Sequence, residues 1–185
     1  MTDSEYKIAL KIAEKNNEKL NSGVPPSILN REKVLLQKIT NSKLNRINKL
    51  QLLFSEMDII YEYIHKYTIC KKGCDHCCHY EIAISELEKE YIKSKIKINK
   101  NKLNQDDNSC PFLKNGACSI YKYRPFLCRR HLSINDSPKW CEVAICNNYN
   151  FPLVTLTEVD KSYAFLLGVE GLNTVKDIRQ AFRKA

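Results

Sequence analysis

No stretch of the 185-residue chain stays apolar over the roughly 18 residues that a membrane-spanning helix requires. A mean hydropathy of −0.43 with 28% charged residues points the same way. The opening residues, Met1-Thr2-Asp3-Ser4-Glu5, are acidic and polar and lack the character of an export signal. There is no internal repeat, no phosphate-cradling glycine loop and no convincing Ser/His/Asp set, and strand candidates are few. The basic residues form no long run interleaved with aromatics, so nucleic acid is the less favoured partner for a chain whose net charge is +9. What remains is a soluble chain, expected in the cytoplasm, with no membrane partner. Its length suits one domain with appended helices, and its 43% hydrophobic content suffices for a core.

Against these absences stand nine cysteines. Without an export signal the compartment is expected to be reducing, and an odd count leaves one thiol over, so metal or redox chemistry leads over a disulfide framework. The positive charge is densest where five of the nine lie, between residues 110 and 146, with six basic residues against two acidic. A tetrathiolate around a divalent ion is anionic, and Arg124, Arg129 and Arg130 are candidates to neutralise it. The alternative is that Arg124 and Arg129 are plain surface charges.

The rest of the chain reads as helical. Thr2 and Glu5 form a capping box before an amphipathic helix that ends near Gly23. Val24-Pro25-Pro26 breaks it, and Ser27 is placed to cap a long second helix interrupted around Thr40-Asn41-Ser42. In that helix Ile47, Leu50, Phe54, Met57, Tyr61 and Ile64 recur at alternating spacings of three and four, widened by Leu53 and Ile60. This stripe reads first as a core face, and second as the contact element for a protein partner through residues 47–64. His65, at its end, reads as a solvated or capping residue rather than a ligand. Glu81 to Ile84 is extended, and Ser85 with Glu88 forms a second capping box opening a charged helix to about residue 98. Asn99 to Ser109 reads as a flexible polar loop and residues 147–152 as a linker. Two short helices are expected from about Thr157 and Thr174, with Gly168 and Gly171 marking the break. The expected fold is mainly α: a helical segment over 1–69, a metal-stapled cysteine region over 70–146, and a helical segment over 147–185, forming one unit.

The candidate metal ligands are Cys70, Cys74, Cys77, Cys78, Cys110, Cys118, Cys128, Cys141 and Cys146. Two ligands separated by two residues, as in Cys74 and Cys77, let a tight turn aim both sulfurs at one ion, and Gly73 eases the backbone there. The adjacent Cys77 and Cys78 are expected to diverge and to serve two metals, or one metal and a packing role. Gly116 lets the chain turn back between Cys110 and Cys118, Pro125 rigidifies the approach to Cys128, and Tyr121 and Phe126 can shield the sulfurs. His76, His79 and His131 are the nitrogen candidates for a mixed site, each read individually as a supporting or exposed group.

These blocks resemble a known family, the zinc- or iron-chelating cysteine-cluster proteins named for a C-x2-C-x2-C-C motif; the flagellin lysine N-methylases carry a similar cluster. The resemblance rests on Cys74-x2-Cys77-Cys78, on Ile82-Ala83-Ile84-Ser85-x2-Glu88, on the block from Cys110-Pro111-Phe112-Leu113 through Cys118-Ser119-Ile120-Tyr121, and on Arg124-Pro125-Phe126-Leu127-Cys128-Arg129. It covers roughly residues 70–146. Cys70 stands one position farther from Cys74 than the motif has it, His131 replaces an expected aromatic, and Cys141 and Cys146 match less firmly.

The resemblance implies a metal-binding protein holding zinc or iron, with an iron–sulfur cluster as one form. Two other readings stand beside it. Cys70-x3-Cys74-x2-Cys77 has the spacing of radical S-adenosylmethionine enzymes, and the likeness to the methylases makes a modifying enzyme conceivable. A barrel of that kind, however, needs repeated strand–helix units that this sequence does not offer. The third reading is an interaction module, in which metal staples a surface for protein or nucleic acid.

Overall fold

Capping chemistry sets where the helices begin. In a computed structural model that describes residues 2–71, 73–168 and 175–183, the Thr2 side chain accepts from the Glu5 N–H while Glu5 reaches back to the Thr2 N–H, opening α1 (Asp3–Ser22). The next helix, α2 (Pro26–Lys33), is not capped by Ser27. Pro25 is its N-cap and Pro26 its first residue, where the missing N–H costs nothing and the fixed φ is already helical. The chain breaks again at Val34 before α3 (Leu35–Asn41), and then at Ser42 to Asn45, whose last side chain caps α4 (Arg46–Ile64). His65 is the C-cap of α4, with Nδ1 3.1 Å from the Thr68 hydroxyl.

The three–four stripe is a core face. Leu50, Leu53, Phe54, Met57, Ile60, Tyr61 and Ile64 are all buried, and α4 packs against α3, α5 (Glu86–Lys95) and α8 (Thr157–Gly168). This packing covers the stripe from within the chain, and nothing observed supports a protein contact through it. A buried carboxylate fastens the near side, where Glu56 of α4 receives Arg31 of α2 and Lys38 of α3.

Sheet structure is minor. The strand β1 (Ala83–Ser85) pairs antiparallel with β4 (Val175–Asp177), and β2 (Leu113–Lys114) with β3 (Ala117–Cys118). Val175–Asp177, expected as helix, is a strand, and the helix that follows, α9, covers only Ile178–Arg183. Gly171 and Thr174 lie outside the described residues. Among the described residues the strands form two separate two-stranded ladders, which supply no parallel βα units, and the fold is mainly α. Two further short helices, α6 (Phe126–Arg130) and α7 (Val143–Cys146), lie in the cysteine region.

One apolar cluster runs from Ala13 of α1 through α3, α4 and α5 to Phe182 of α9, and takes in Cys78 and Cys110 on the way. The expected linker is built into this structure: Tyr149 and Phe151 join Tyr6 and Trp140 in an aromatic cluster with ring centroids 4.6–6.3 Å apart. The loop of residues 99–109, expected to be flexible, is held by Arg183, which donates to the carbonyls of Asn104, Asp106 and Ser109. No described helix is long and apolar enough to cross a membrane.

Candidate metal centre

The first cysteine block is a sequence of tight turns. Gly73 sits at φ +98°, a conformation open to glycine at little cost. The Cys78 N–H closes on the Asp75 carbonyl at 2.7 Å, forming a single 3₁₀ turn over His76–His79. The second block is pinned directly onto it, because the Cys110 N–H donates to the Cys78 carbonyl at 2.6 Å. From there the chain runs out along β2 and back along β3. Asn115 and Gly116, at φ +49° and +70°, make the turn in which both central residues need positive φ. That reversal brings Cys118 back opposite Leu113.

Cys128 arrives on α6, whose start is fixed by a buried carboxylate. Glu88 has no exposed surface. One of its oxygens caps α5 through the Ser85 N–H and hydroxyl, both at 2.8 Å, and accepts from Tyr163 at 2.6 Å; the other accepts the Phe126 N–H at 2.7 Å. The second capping box therefore does more than begin a helix: it ties α5, α6 and α8 together. Cys70 is attached from the other side, where its sulfur accepts the Ser133 N–H at 3.2 Å and the Ile69 N–H donates to the Ser133 carbonyl at 3.1 Å.

All nine cysteines are free thiols. Eight of them, Cys70, Cys74, Cys77, Cys78, Cys110, Cys118, Cys128 and Cys141, line one cavity of about 40 Å³. That is the scale of one or two water molecules at roughly 30 Å³ each, far below the roughly 300 Å³ at which small-molecule pockets begin. Cys146 stands apart in an adjoining groove of about 520 Å³, where its sulfur lies 2.6 Å from the Tyr80 hydroxyl, which also donates to the Cys141 carbonyl at 2.8 Å. Among the described residues no group of three or more His, Cys, Asp or Glu side chains is already arranged as a metal site, so taking up an ion requires the sulfurs to draw inward.

The thiols differ in their hold on the proton. The Cys78 thiol is within hydrogen-bond reach of Cys110, Cys118 and Cys77, and these contacts keep it protonated well above the ordinary range. The hydrogen bond from Cys78 holds Cys77 down to about 7 despite burial, with Arg124 adding to the effect; Cys118 is lowered chiefly by the same donor. Burial pushes Cys70 up to about 11, and raises Cys128 and Cys141 as well.

Of the three arginines expected near the sulfurs, Arg124 lines the cavity. It is 9% exposed, its guanidinium stacks 4.0 Å from the Tyr121 ring centroid, and its Nε is buried without a hydrogen-bond partner. A thiolate drawn into the cavity would satisfy that donor, so the groups present fit an anionic metal–thiolate centre. Arg129 is neither a neutralising charge nor a surface one: it is 2% exposed, paired with Asp58 of α4 and donating to the Lys122 and Arg124 carbonyls. Arg130 forks onto Asp160 of α8 at 2.7 and 2.9 Å. Tyr121 lines the cavity, whereas Phe126 stacks on Tyr163 at 3.9 Å. His76 and His131 face the cavity, and His79 pairs with Asp75 at 3.7 Å.

Residues 69–147 match the family model CxxCxxCC, described as a "Putative zinc- or iron-chelating domain". Comparison with curated proteins gave no match, and comparison with solved structures gave none either. The match spans all three cysteine blocks, from the residue before Cys70 to the residue after Cys146. Over residues 69–147 the chain is thus similar to the zinc- or iron-chelating family that its cysteine blocks resemble.

Proposed function

We propose that this protein binds zinc or iron through the thiolates that line the central cavity, with the metal serving structure or metal handling. One observation carries the reading. Eight sulfurs from three blocks up to 71 positions apart in sequence, Cys70 to Cys141, surround a single ion-sized space. Buried free thiols with a packing role alone would not need to gather in this way. Metal would displace the thiol protons, and Arg124 would offset the negative charge left behind. A reducing compartment, such as the cytoplasm, suits nine unpaired thiols. The cavity's size favours ions over a nucleoside cofactor.

The test is metal and acid-labile sulfide content, with the visible spectrum, of protein purified without air. Colourless protein with zinc and no sulfide is the expected result for a structural or metal-handling centre. Brown protein with sulfide matching its iron would make the centre an iron–sulfur cluster, and protein that takes up neither metal would refute the reading.

A further inference from the structure

A second space adjoins the thiols. The groove that holds Cys146 shares Ile82, His131 and Cys141 with the cavity wall. Its volume, about 520 Å³, falls within the roughly 300–1,000 Å³ of small-molecule sites. Flat side chains make up much of its lining. Trp140 packs on Tyr149 and Phe151 with ring centroids 5.6 and 5.3 Å apart, Tyr80 packs on His131 at 5.1 Å, and all five line the groove.

One polar group of this lining is unanswered. Asn135 is 6% exposed, and its Oδ1 is buried without a hydrogen-bond partner. Buried acceptors in native proteins nearly always meet a donor. Among the described residues none bonds the Asn135 amide, so turning it toward a ligand breaks no bond. The charges of the lining are engaged elsewhere. Arg130 forks onto Asp160 and gives its remaining nitrogen to the Val154 carbonyl at 3.1 Å. Glu81, with an 89% exposed side chain, is a solvated rim charge 3.4 Å from Arg179.

We propose that this groove is a second ligand site, taking an uncharged, flat aromatic small molecule whose ring lies against the aromatic lining and whose hydrogen-bond donor meets Asn135 Oδ1. The inference does not rest on the chelating role. A free small molecule suits the groove better than a partner protein does. Among the described residues, the large apolar side chains exposed in it are Leu127 and Leu153, whereas a stable protein contact buries about 800 Å² on each side.

Three probes test this: indole, which is flat and neutral with one N–H; N-methylindole, which lacks the donor; and indoleacetate, which adds a negative charge. Each is titrated into the nitrogen-15-labelled full chain, carrying its metal as purified, and followed by NMR. The side-chain N–H of Trp140, the single tryptophan and part of the groove lining, gives one signal that reports on this site. Indole should shift that signal saturably. N-methylindole should bind about tenfold more weakly, the loss expected for one hydrogen bond, and indoleacetate no more tightly than indole. Asn135→Leu, close in volume, should bring indole and N-methylindole to equal affinity. No saturable shift with indole would overturn the site. Equal affinity of indole and N-methylindole for the unmodified chain would overturn the role of Asn135 and reduce the binding to apolar adsorption. Tighter binding of indoleacetate would overturn the uncharged class. If Asn135→Leu fails to fold, the comparison of indole with N-methylindole in the unmodified chain still decides. Metal content is read separately, so a failed groove leaves the chelating centre standing.

Discussion

Glu88 shows how much one buried side chain can hold in place. Its carboxylate has no exposed surface and takes four hydrogen bonds, two from Ser85, one from the Phe126 N–H and one from Tyr163. Every partner is a donor, and burial together with the Glu88 carboxylate pushes Tyr163 up, keeping its hydroxyl a donor. Glu88→Gln would turn one acceptor into an NH₂ group facing an N–H or O–H. An unsatisfied buried polar group costs about 1–3 kcal/mol, and urea unfolding of the metal-free variant should show a loss of that size. Because the Phe126 N–H opens the helix that brings Cys128 to the cavity lining, zinc binding should weaken too. A variant as stable as the parent would mean that the new amide finds other partners by relaxing toward solvent. The capping pattern Ser85-x2-Glu88 was readable from sequence, but its second use was not. The bond to Phe126 spans 38 positions, and no local rule reports a partner that far away.

At the scale of elements, α4 is the part most legible in the sequence and α9 with its strand the least, for physical reasons. A helix buried along one face repeats its apolar residues at every turn, so the stripe from Ile47 to Ile64 announces both the element and its buried side. The three-residue strand Val175–Asp177 is too short to show a period, and it exists because β1 offers it a ladder. Likewise the Asn115-Gly116 turn is legible because positive φ selects those residues, whereas the pairing of Arg129 with Asp58 is set only once α4 and α6 meet. The pairing of Glu56 with Arg31 and Lys38 joins three elements and carries a pH signature. Burial alone would raise the Glu56 carboxyl, but the two cations outweigh it and hold it below the ordinary value of 4.5. A folded-state value below the unfolded one means that the pair stabilises the fold at neutral pH. That contribution is lost as pH falls from about 4.5 through the lower folded value. Glu56→Gln should therefore be less stable near neutral pH by about 1–2 kcal/mol, a modest figure because both cations are partly exposed and screened. Unfolding curves for variant and parent should converge in acid, and a gap that persists unchanged there would show that the loss is packing, not charge.

For the whole molecule the question is how far folding depends on the metal. The helices α3, α4, α5 and α8 pack on one another through aliphatic and aromatic side chains, and this part of the core needs no ion. The segments bearing the thiols are different. Among the described residues between 70 and 146 the regular structure is the strand Ala83–Ser85, the short β2–β3 ladder, ten residues of α5, two helices of five and four residues and a few 3₁₀ turns, which leaves Cys70, Cys74 and Cys110 on irregular backbone. These segments join the main core through residues such as Phe112, Phe126 and Ile134, and Cys78, Ile82, Cys110 and Ile120 belong to both the cluster of apolar residues and the lining of the cavity. Metal removal should thus act unequally. Binding at a free metal concentration about a thousand times the dissociation constant stabilises by about 4 kcal/mol. In a chain of this size that corresponds to a fall in thermal midpoint of roughly 8–16 °C on chelation. The far-ultraviolet helical signal should largely survive at room temperature, because its main sources are the four packed helices. The emission of Trp140, the single tryptophan, should change, because it lies one residue from Cys141 in the cavity wall. Chelation that leaves both the midpoint and Trp140 unmoved would show that the cysteine region holds its shape without metal, and that the ion is cargo rather than a staple.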